Sequence, residues 1–192
     1  MAALTASMLG AAPPAFAHIT SDMGGGVAAG FLHPLTGFDH LLAMVSVGIW
    51  GAQLGLPSIW LLPIAFPLIM AIGAVFGVIG VPLPGTEILI ALSVLTLGAM
   101  VALKQRLPVA AALLVVGIFA VAHGHAHGAE MPNAADALSF TVGFVVATGL
   151  LHATGIVIGL LDRSPGGAVA LRACGLFVGL VGCYFVYESV GA

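Results

Sequence analysis

Histidine is the residue type with the most chemical potential in this 192-residue chain, because six of its seven histidines lie inside long apolar segments. Five of the six form two groups, His33…Asp39-His40 and His123…His125…His127…Glu130. Ionisable groups inside a bilayer are costly and usually mark a site or a pathway. Neutral imidazole with carboxylate suits Ni²⁺, Co²⁺, Zn²⁺ or Cu²⁺, whereas an all-oxygen site would suit Mg²⁺ or Ca²⁺. The two groups therefore predict a site for a divalent transition metal ion.

The first group contains two residues that disfavour a regular helix. His33 and His40 are seven residues apart and would share one helix face, from which Asp39 points about 100° away. Pro34 removes a backbone donor between them, and Gly37 relaxes the local turn. We expect a kinked or partly unwound segment that brings the Asp39 carboxylate and both imidazoles to one point.

The second group has the spacing of a helical metal site. His123 and His127 are i, i+4 on one face, and Glu130 falls on the same side. This spacing suits two imidazoles on one metal ion with a carboxylate nearby. Glu130 lies near the outer interface, where it could be a ligand, an attracting charge or a solvated helix end. His125 points the other way, and a structural role is favoured for it.

Three residues are weaker candidates. His152 lies apart from the other histidines in the fifth apolar segment, where ligation and hydrogen-bonded packing are evenly balanced. Met44 offers a thioether on the stripe of His33 and His40, but core packing is favoured for it. His18 would become N-terminal after signal cleavage, and its α-amine and imidazole could then chelate a metal ion together.

The elements that must position these residues are membrane helices. The chain is 61% hydrophobic and 6% charged, with a mean hydropathy of +1.22, whereas soluble domains carry about 25% charged residues. We therefore predict an all-α membrane protein with six transmembrane helices in a single domain, residues 18–192. The apolar runs of spanning length are 25–50, 58–80, 87–103, 108–128, 136–161 and 168–189.

The basic residues predict the orientation. Lys104 and Arg106 lie between the third and fourth runs, and Arg163 and Arg172 lie between or just inside the fifth and sixth. Both loops are on one side of a six-span chain, so the positive-inside rule makes that side cytoplasmic and both mature termini periplasmic in a bacterial inner membrane. The net charge of −3 excludes a basic nucleic-acid footprint.

Residues 1–17 are predicted to be a signal peptide. They are mildly apolar and end in Ala15-Phe16-Ala17, the small-x-small pattern that signal peptidase reads. No Lys or Arg precedes this pattern, so the basic region typical of a signal is missing. The competing interpretation is an uncleaved periplasmic arm.

The two histidine groups lie in the first and fourth spans, which are corresponding helices of two three-span halves. These spans run in opposite directions, which is compatible with a 3+3 inverted repeat around a buried site. Many of the 27 glycines are spaced four apart, as in Gly73/Gly77 and Gly124/Gly128. Such faces let helices approach closely. We favour packing within the chain, and a homo-oligomer through the glycine-rich faces stays open.

With these residues in view, the chain resembles the HupE/UreJ family of nickel/cobalt permeases. The first family motif, H-P-x-x-G-x-D-H with Met four residues on, runs from His33 to Met44. The second, F-x-x-x-H-G-x-x-H-G-x-E, runs from Phe119 to Glu130. The resemblance covers nearly the whole chain. It implies secondary transport of nickel or cobalt, with the metal ion as cargo rather than cofactor.

Other functions use the same residue types. An intramembrane zinc-dependent hydrolase would hold Zn²⁺ on three histidines and activate water with a carboxylate, although the chain has no HExxH. A haem-binding redox subunit would take axial histidines from two helices. We predict a permease rather than an enzyme, and the residues alone do not choose nickel over cobalt or zinc.

Overall fold

The computed structural model describes residues 26–131 and 137–191, and these ranges are helical without any strand. The predicted signal peptide of residues 1–17 and the candidate ligand His18 lie outside the described residues. The predicted all-α fold is confirmed. Its helices are α1 Val27–Thr36, α2 Phe38–Leu54, α3 Ser58–Val78, α4 Thr86–Leu103, α5 Val109–Ala129, α6 Ala137–Gly159, a 3₁₀ helix Leu160–Arg163 and α7 Pro165–Gly191.

Five of the described helices, α3 to α7, are long and apolar enough to cross a membrane. Helices α1 and α2 pass the same test together and make the sixth candidate span. Each predicted apolar run corresponds to one of these spans, with ends that differ by a few residues. Backbone groups in lipid must be satisfied within their own helix, so helix length follows apolar length closely.

The first span is broken at Gly37. The axes of α1 and α2 are bent by 83° there, and Gly37 itself is extended, with φ −82° and ψ 109°. Pro34 lies inside α1 and cannot donate to the carbonyl of Gly30 one turn earlier, which weakens the last turn before the break. The predicted irregularity of this segment is confirmed, and it turns α1 away from the axis of α2.

Glycine faces hold the bundle together. Helix α3 packs along α5, α4 along α7, and α6 along both α1 and α2. A Cβ added at Gly124 would overlap the backbone of Met70, and one at Gly73 would overlap the backbone of Val121. These glycines therefore pack helix against helix within the chain, as favoured from the sequence. A homo-oligomer stays a prediction.

The two ends of the bundle differ in chemistry. Lys104, whose Nζ lies 2.7 Å from Oδ2 of Asp162, is at the end where α4 passes to α5, and Arg163 follows at the same end. We call it the basic end. Helix α5 then runs for 21 residues, about 30 Å, to Glu130. We call that opposite end, which carries His33, His127 and Glu130, the histidine end.

Candidate metal centre

Two distant segments meet at the histidine end. His33 in the last turn of α1 and His127 in the last turn of α5 are 94 residues apart, yet their Nε2 and Nδ1 atoms lie 2.9 Å from each other. Glu130 directly follows α5. One ligand atom from each of these three residues lies within 4.8 Å of the others. Two imidazoles and a carboxylate at this separation could bind one divalent transition metal ion.

His127 connects His33 to His40. Its Nε2 lies 3.2 Å from Nδ1 of His40, so three imidazoles from α1, α5 and α2 form one continuous row. Each contact needs one N–H and one lone pair, so in neutral rings the N–H groups all point the same way along the row. When they point toward His33, the Nε2 of His40 keeps its lone pair for a metal ion.

His123 extends the row toward the middle of the bundle. Its Nδ1–H donates to the carbonyl of Phe119 at 2.9 Å, which leaves Nε2 to accept or to ligate. The ring centroids of His40 and His123 are 5.3 Å apart, and the Nε2 atoms of both are buried with no hydrogen-bond partner within residues 26–131 and 137–191. A buried nitrogen with a free lone pair is what a metal ion requires.

Asp39 lies beside the cluster rather than in it. Its Oδ1 accepts the backbone N–H of His40 at 2.7 Å, which holds the carboxylate in the first turn of α2. The sequence predicted that a kink would bring Asp39, His33 and His40 to one point. In the folded chain, the imidazoles of His33 and His40 are instead joined through that of His127. The carboxylate that lies close to His33 and His127 is that of Glu130.

Negative charge accumulates around Glu130. Partial burial raises the pKa of the Glu130 carboxyl above its ordinary value, and the charges of Glu87 and Asp39 raise it further, although the side chain stays open to solvent. Glu87 begins α4 at the same end of the bundle. The sequence did not associate Glu87 with the site, because nothing local relates α4 to α5.

His125 faces away from the cluster, as predicted. Its Nε2–H donates to the carbonyl of Val81 at 2.7 Å, and its Nδ1 lies 3.5 Å from the Thr86 hydroxyl. His125 thus joins α5 to the loop between α3 and α4. Met44 is fully buried among apolar side chains, which agrees with the favoured packing role.

His152 lies deeper than the other candidates. Its ring centroid is 5.7 Å from that of Phe66, which is also 5.7 Å from the ring of His123. Phe66 therefore touches both histidines. The structure brings His33, His40, His123 and His127 into one row and places His152 one aromatic ring beyond it.

Aromatic side chains of α6 line the row, and the sequence reasoning missed them. The ring centroid of Phe144 lies 6.1, 5.2 and 4.7 Å from those of His33, His40 and His127, respectively. Phe140 contacts the ring of His33 at 5.5 Å. Phe140, Phe144, Thr148 and His152 follow each other at intervals of four along α6. The spacing of four from His152 could have indicated from the sequence that Phe140 and Phe144 share its helix face.

Comparison with known proteins gives one family and one close relative. The family described as HupE / UreJ protein matches residues 6–185. Protein HupE of Rhizobium leguminosarum bv. viciae is 41% identical over 186 residues, which cover 92% of this chain and 97% of that protein. No solved structure gives a significant match.

Proposed function

The chain belongs to the HupE/UreJ family, and on this premise we propose that it takes up a divalent transition metal ion, nickel or cobalt, as a secondary transporter of the bacterial inner membrane. Members of this family are permeases rather than enzymes, so the hydrolase considered from the residue types is set aside. The metal ion is the cargo, with Zn²⁺ as a third candidate.

One observation carries the proposal. His33, His127 and Glu130 present three ligand atoms within 4.8 Å of one another, and His33 lies in the short helix that precedes the break in the first span. Two imidazoles and a carboxylate match the preferences of Ni²⁺, Co²⁺ and Zn²⁺. We infer that the ion is first bound by these three residues, with Asp39 adding negative charge.

The row of imidazoles supports a direction of movement. From His127 the row continues to His40 and His123, whose Nε2 atoms are buried and have no hydrogen-bond partner. A dication that leaves the outer cluster can exchange one imidazole for the next without entering an apolar environment. When ligands are exchanged one at a time, the free-energy cost of each step is small compared with the cost of complete dehydration of the ion.

Charge distribution supports the orientation. The basic end, with Lys104, Arg106 and Arg163, would face the cytoplasm under the positive-inside rule. The histidine end and the C-terminus would then face the periplasm. His18, freed by removal of residues 1–17, could help to collect the ion there. The membrane potential would supply about 4.6 kcal/mol for a dication that moves inward across 100 mV.

Competitive uptake tests the substrate. Cells that express the full chain are given radiolabelled Ni²⁺ with an excess of unlabelled Co²⁺ or Zn²⁺, and cells that express His33→Ala serve as the reference. We expect label to accumulate only with the wild-type chain and to be displaced by Co²⁺. Equal accumulation in both strains would contradict the proposal.

A further inference from the structure

Four buried side chains near the middle of the bundle have polar atoms with no hydrogen-bond partner among the residues that the structure describes. They are Nε2 of His40, Nε2 of His123, the Thr148 hydroxyl and both ring nitrogens of His152. His152 and Thr148 are 1% and 0% exposed, and they lie one turn apart on the same side of α6. A polar group without a partner in an apolar interior costs a few kcal/mol, and each of these would bear that cost.

Helix α3 adds a backbone oxygen to this region. Pro63 and Pro67 both lie inside α3, and Pro67 has no N–H to donate to the Pro63 carbonyl one turn earlier. That carbonyl lies close to the His152 ring. The proline pair thus places a backbone oxygen that lacks its usual helical donor beside this imidazole.

The backbone of His152 lies nearer the basic end of the bundle than that of His40. The backbone of His152 abuts Gly48 in α2, where an added Cβ would overlap the His152 carbonyl oxygen. Gly48 follows His40 by eight residues, so it lies on the order of 12 Å nearer the basic end along α2. Phe66, which contacts the rings of both His123 and His152, separates the two levels.

We propose that His152, the Thr148 hydroxyl and the Pro63 carbonyl form a second, inner binding station for the transported dication. The inference rests on the proposed function, and it assigns to His152 a site of its own rather than a place in the outer cluster. The ion reaches the station from His123, past the edge of Phe66. Binding there satisfies polar atoms that otherwise lack partners.

The ligand chemistry of the inner station differs from that of the outer cluster. One imidazole, one hydroxyl and one carbonyl carry no net charge, whereas the outer cluster includes the Glu130 carboxylate and has Asp39 beside it. A dication is held less tightly by neutral ligands than by charged ones. The inner station therefore binds weakly enough to release its ion toward the basic end, while the outer cluster collects it.

Co²⁺ binding and uptake by the full chain test the inner station. His152→Leu removes the imidazole and keeps an apolar volume, and Thr148→Val removes the hydroxyl while keeping the shape. Thr154→Val is the matched control, because Thr154 lies in the same helix, is exposed and donates its hydroxyl to Leu150. Co²⁺ binding is measured in lipid nanodiscs by equilibrium dialysis, and Co²⁺ uptake is measured in proteoliposomes.

We expect wild type and Thr154→Val to bind Co²⁺ in two steps, a tighter one and a weaker one. His152→Leu should lose the weaker step, keep the tighter one, and slow uptake at least about tenfold, the loss typical when even an outer-sphere partner of a metal site is removed. Thr148→Val should weaken the same step, which keeps the test valid if His152→Leu does not fold.

Two results separate this inference from the function on which it rests. If both variants keep two binding steps and the wild-type uptake rate, the inner station is wrong and the transporter proposal stands. If wild type takes up no Co²⁺ but His152→Leu still loses the weaker binding step, the station stands and the transporter proposal is wrong.

Discussion

At the scale of single residues, the protein partners of each imidazole nitrogen determine which histidines can bind a metal ion. His123 and His125 are two residues apart in α5, but their surroundings differ. His123 uses Nδ1 on the Phe119 carbonyl and keeps a buried Nε2 free. His125 donates Nε2–H to Val81, and its Nδ1 faces Thr86. Helical geometry separates the two faces, and hydrogen bonding assigns a role to each.

Replacement of His127 by glutamine should stop transport, whereas the same change at His125 should not. Glutamine has no imidazole nitrogen with which to bind the ion, and His127 supplies one of the three ligand atoms that lie close together. At position 125 it can still donate to the Val81 carbonyl. We expect Ni²⁺ uptake to fall at least about tenfold in His127→Gln and to change little in His125→Gln. Similar uptake by the two variants would contradict the site.

Acidification should weaken metal uptake, in part through Glu130. Its raised pKa means that this carboxyl takes up a proton at a higher pH than an ordinary glutamate, so its contribution is present above that pKa and lost as pH falls through it. The imidazoles can bind a metal ion only while they are unprotonated, so added protons compete with the ion for the same nitrogen lone pairs. Uptake measured from about pH 7.5 to about pH 5 should therefore decline steadily.

The matched control for Glu130 is Glu188. It lies near the end of α7, at the same end of the bundle, and accepts a hydrogen bond from Tyr184. Glu130→Gln should raise the metal concentration needed for half-maximal uptake and flatten the acid limb, whereas Glu188→Gln should do neither. An unchanged pH profile in Glu130→Gln would show that this carboxylate is not a ligand.

At the scale of elements, the broken first span is what allows α1 and α5 to share a site. Pro34 and Gly37 predicted an irregular segment from the sequence. Pro34 lacks the backbone N–H that a regular helix uses, and Gly37 has no side chain to restrict the backbone to helical angles. The direction of the 83° bend could not be predicted, since it depends on how α1 packs on α6. The bend places His33 against His127.

Alanine at Gly143 should displace α1, and alanine at Gly149 should not. Both glycines lie in α6, but an added Cβ at Gly143 would overlap the Val27 carbonyl oxygen, whereas no described atom lies within 4 Å of one at Gly149. Overpacking costs about 1–3 kcal/mol. Gly143→Ala should lower the melting temperature in detergent and reduce uptake, while Gly149→Ala should melt at or slightly above wild type. Equal melting temperatures would contradict the packing of α1 on α6.

The sequence predicted most of the helices and most of the histidine row, for identifiable reasons. Apolar length defines spans α3 to α7, and i, i+4 spacing places His123 and His127 on one face. The lining by Phe140 and Phe144, and the place of Glu87 near Glu130, depend on contacts between helices. Such contacts are set by glycine faces whose partners the sequence does not specify.

At the scale of the whole molecule, the inverted repeat stays a prediction with which the helix packing is compatible. The most extensive helix contacts join the first span, α1 and α2, to the fifth, α6, and the second span, α3, to the fourth, α5. In a 3+3 repeat, the first span corresponds to the fourth and the second to the fifth. The contact between the first and fifth spans therefore corresponds to the contact between the fourth and second spans. Two halves related in this way would place their histidine-bearing spans around one site.

The orientation can be tested by labelling single cysteines in intact cells. Cys174 and Cys183 are first replaced by alanine, and a cysteine is then placed at Gln105 at the basic end or at Pro84 at the histidine end. Both positions are exposed. A membrane-impermeant maleimide should label Pro84→Cys and leave Gln105→Cys unlabelled until the cells are opened. The reverse pattern would contradict the proposed topology.

Reconstituted transport tests the central claim most directly. Purified full-length wild type and His33→Ala are placed in proteoliposomes, and Ni²⁺ or Co²⁺ entry is followed after a potential, negative inside, is imposed. We expect entry into wild-type vesicles to rise with the potential and to fall to the level of empty vesicles in His33→Ala. Wild-type vesicles that accumulate no more metal than empty ones, with the protein folded, would contradict the account.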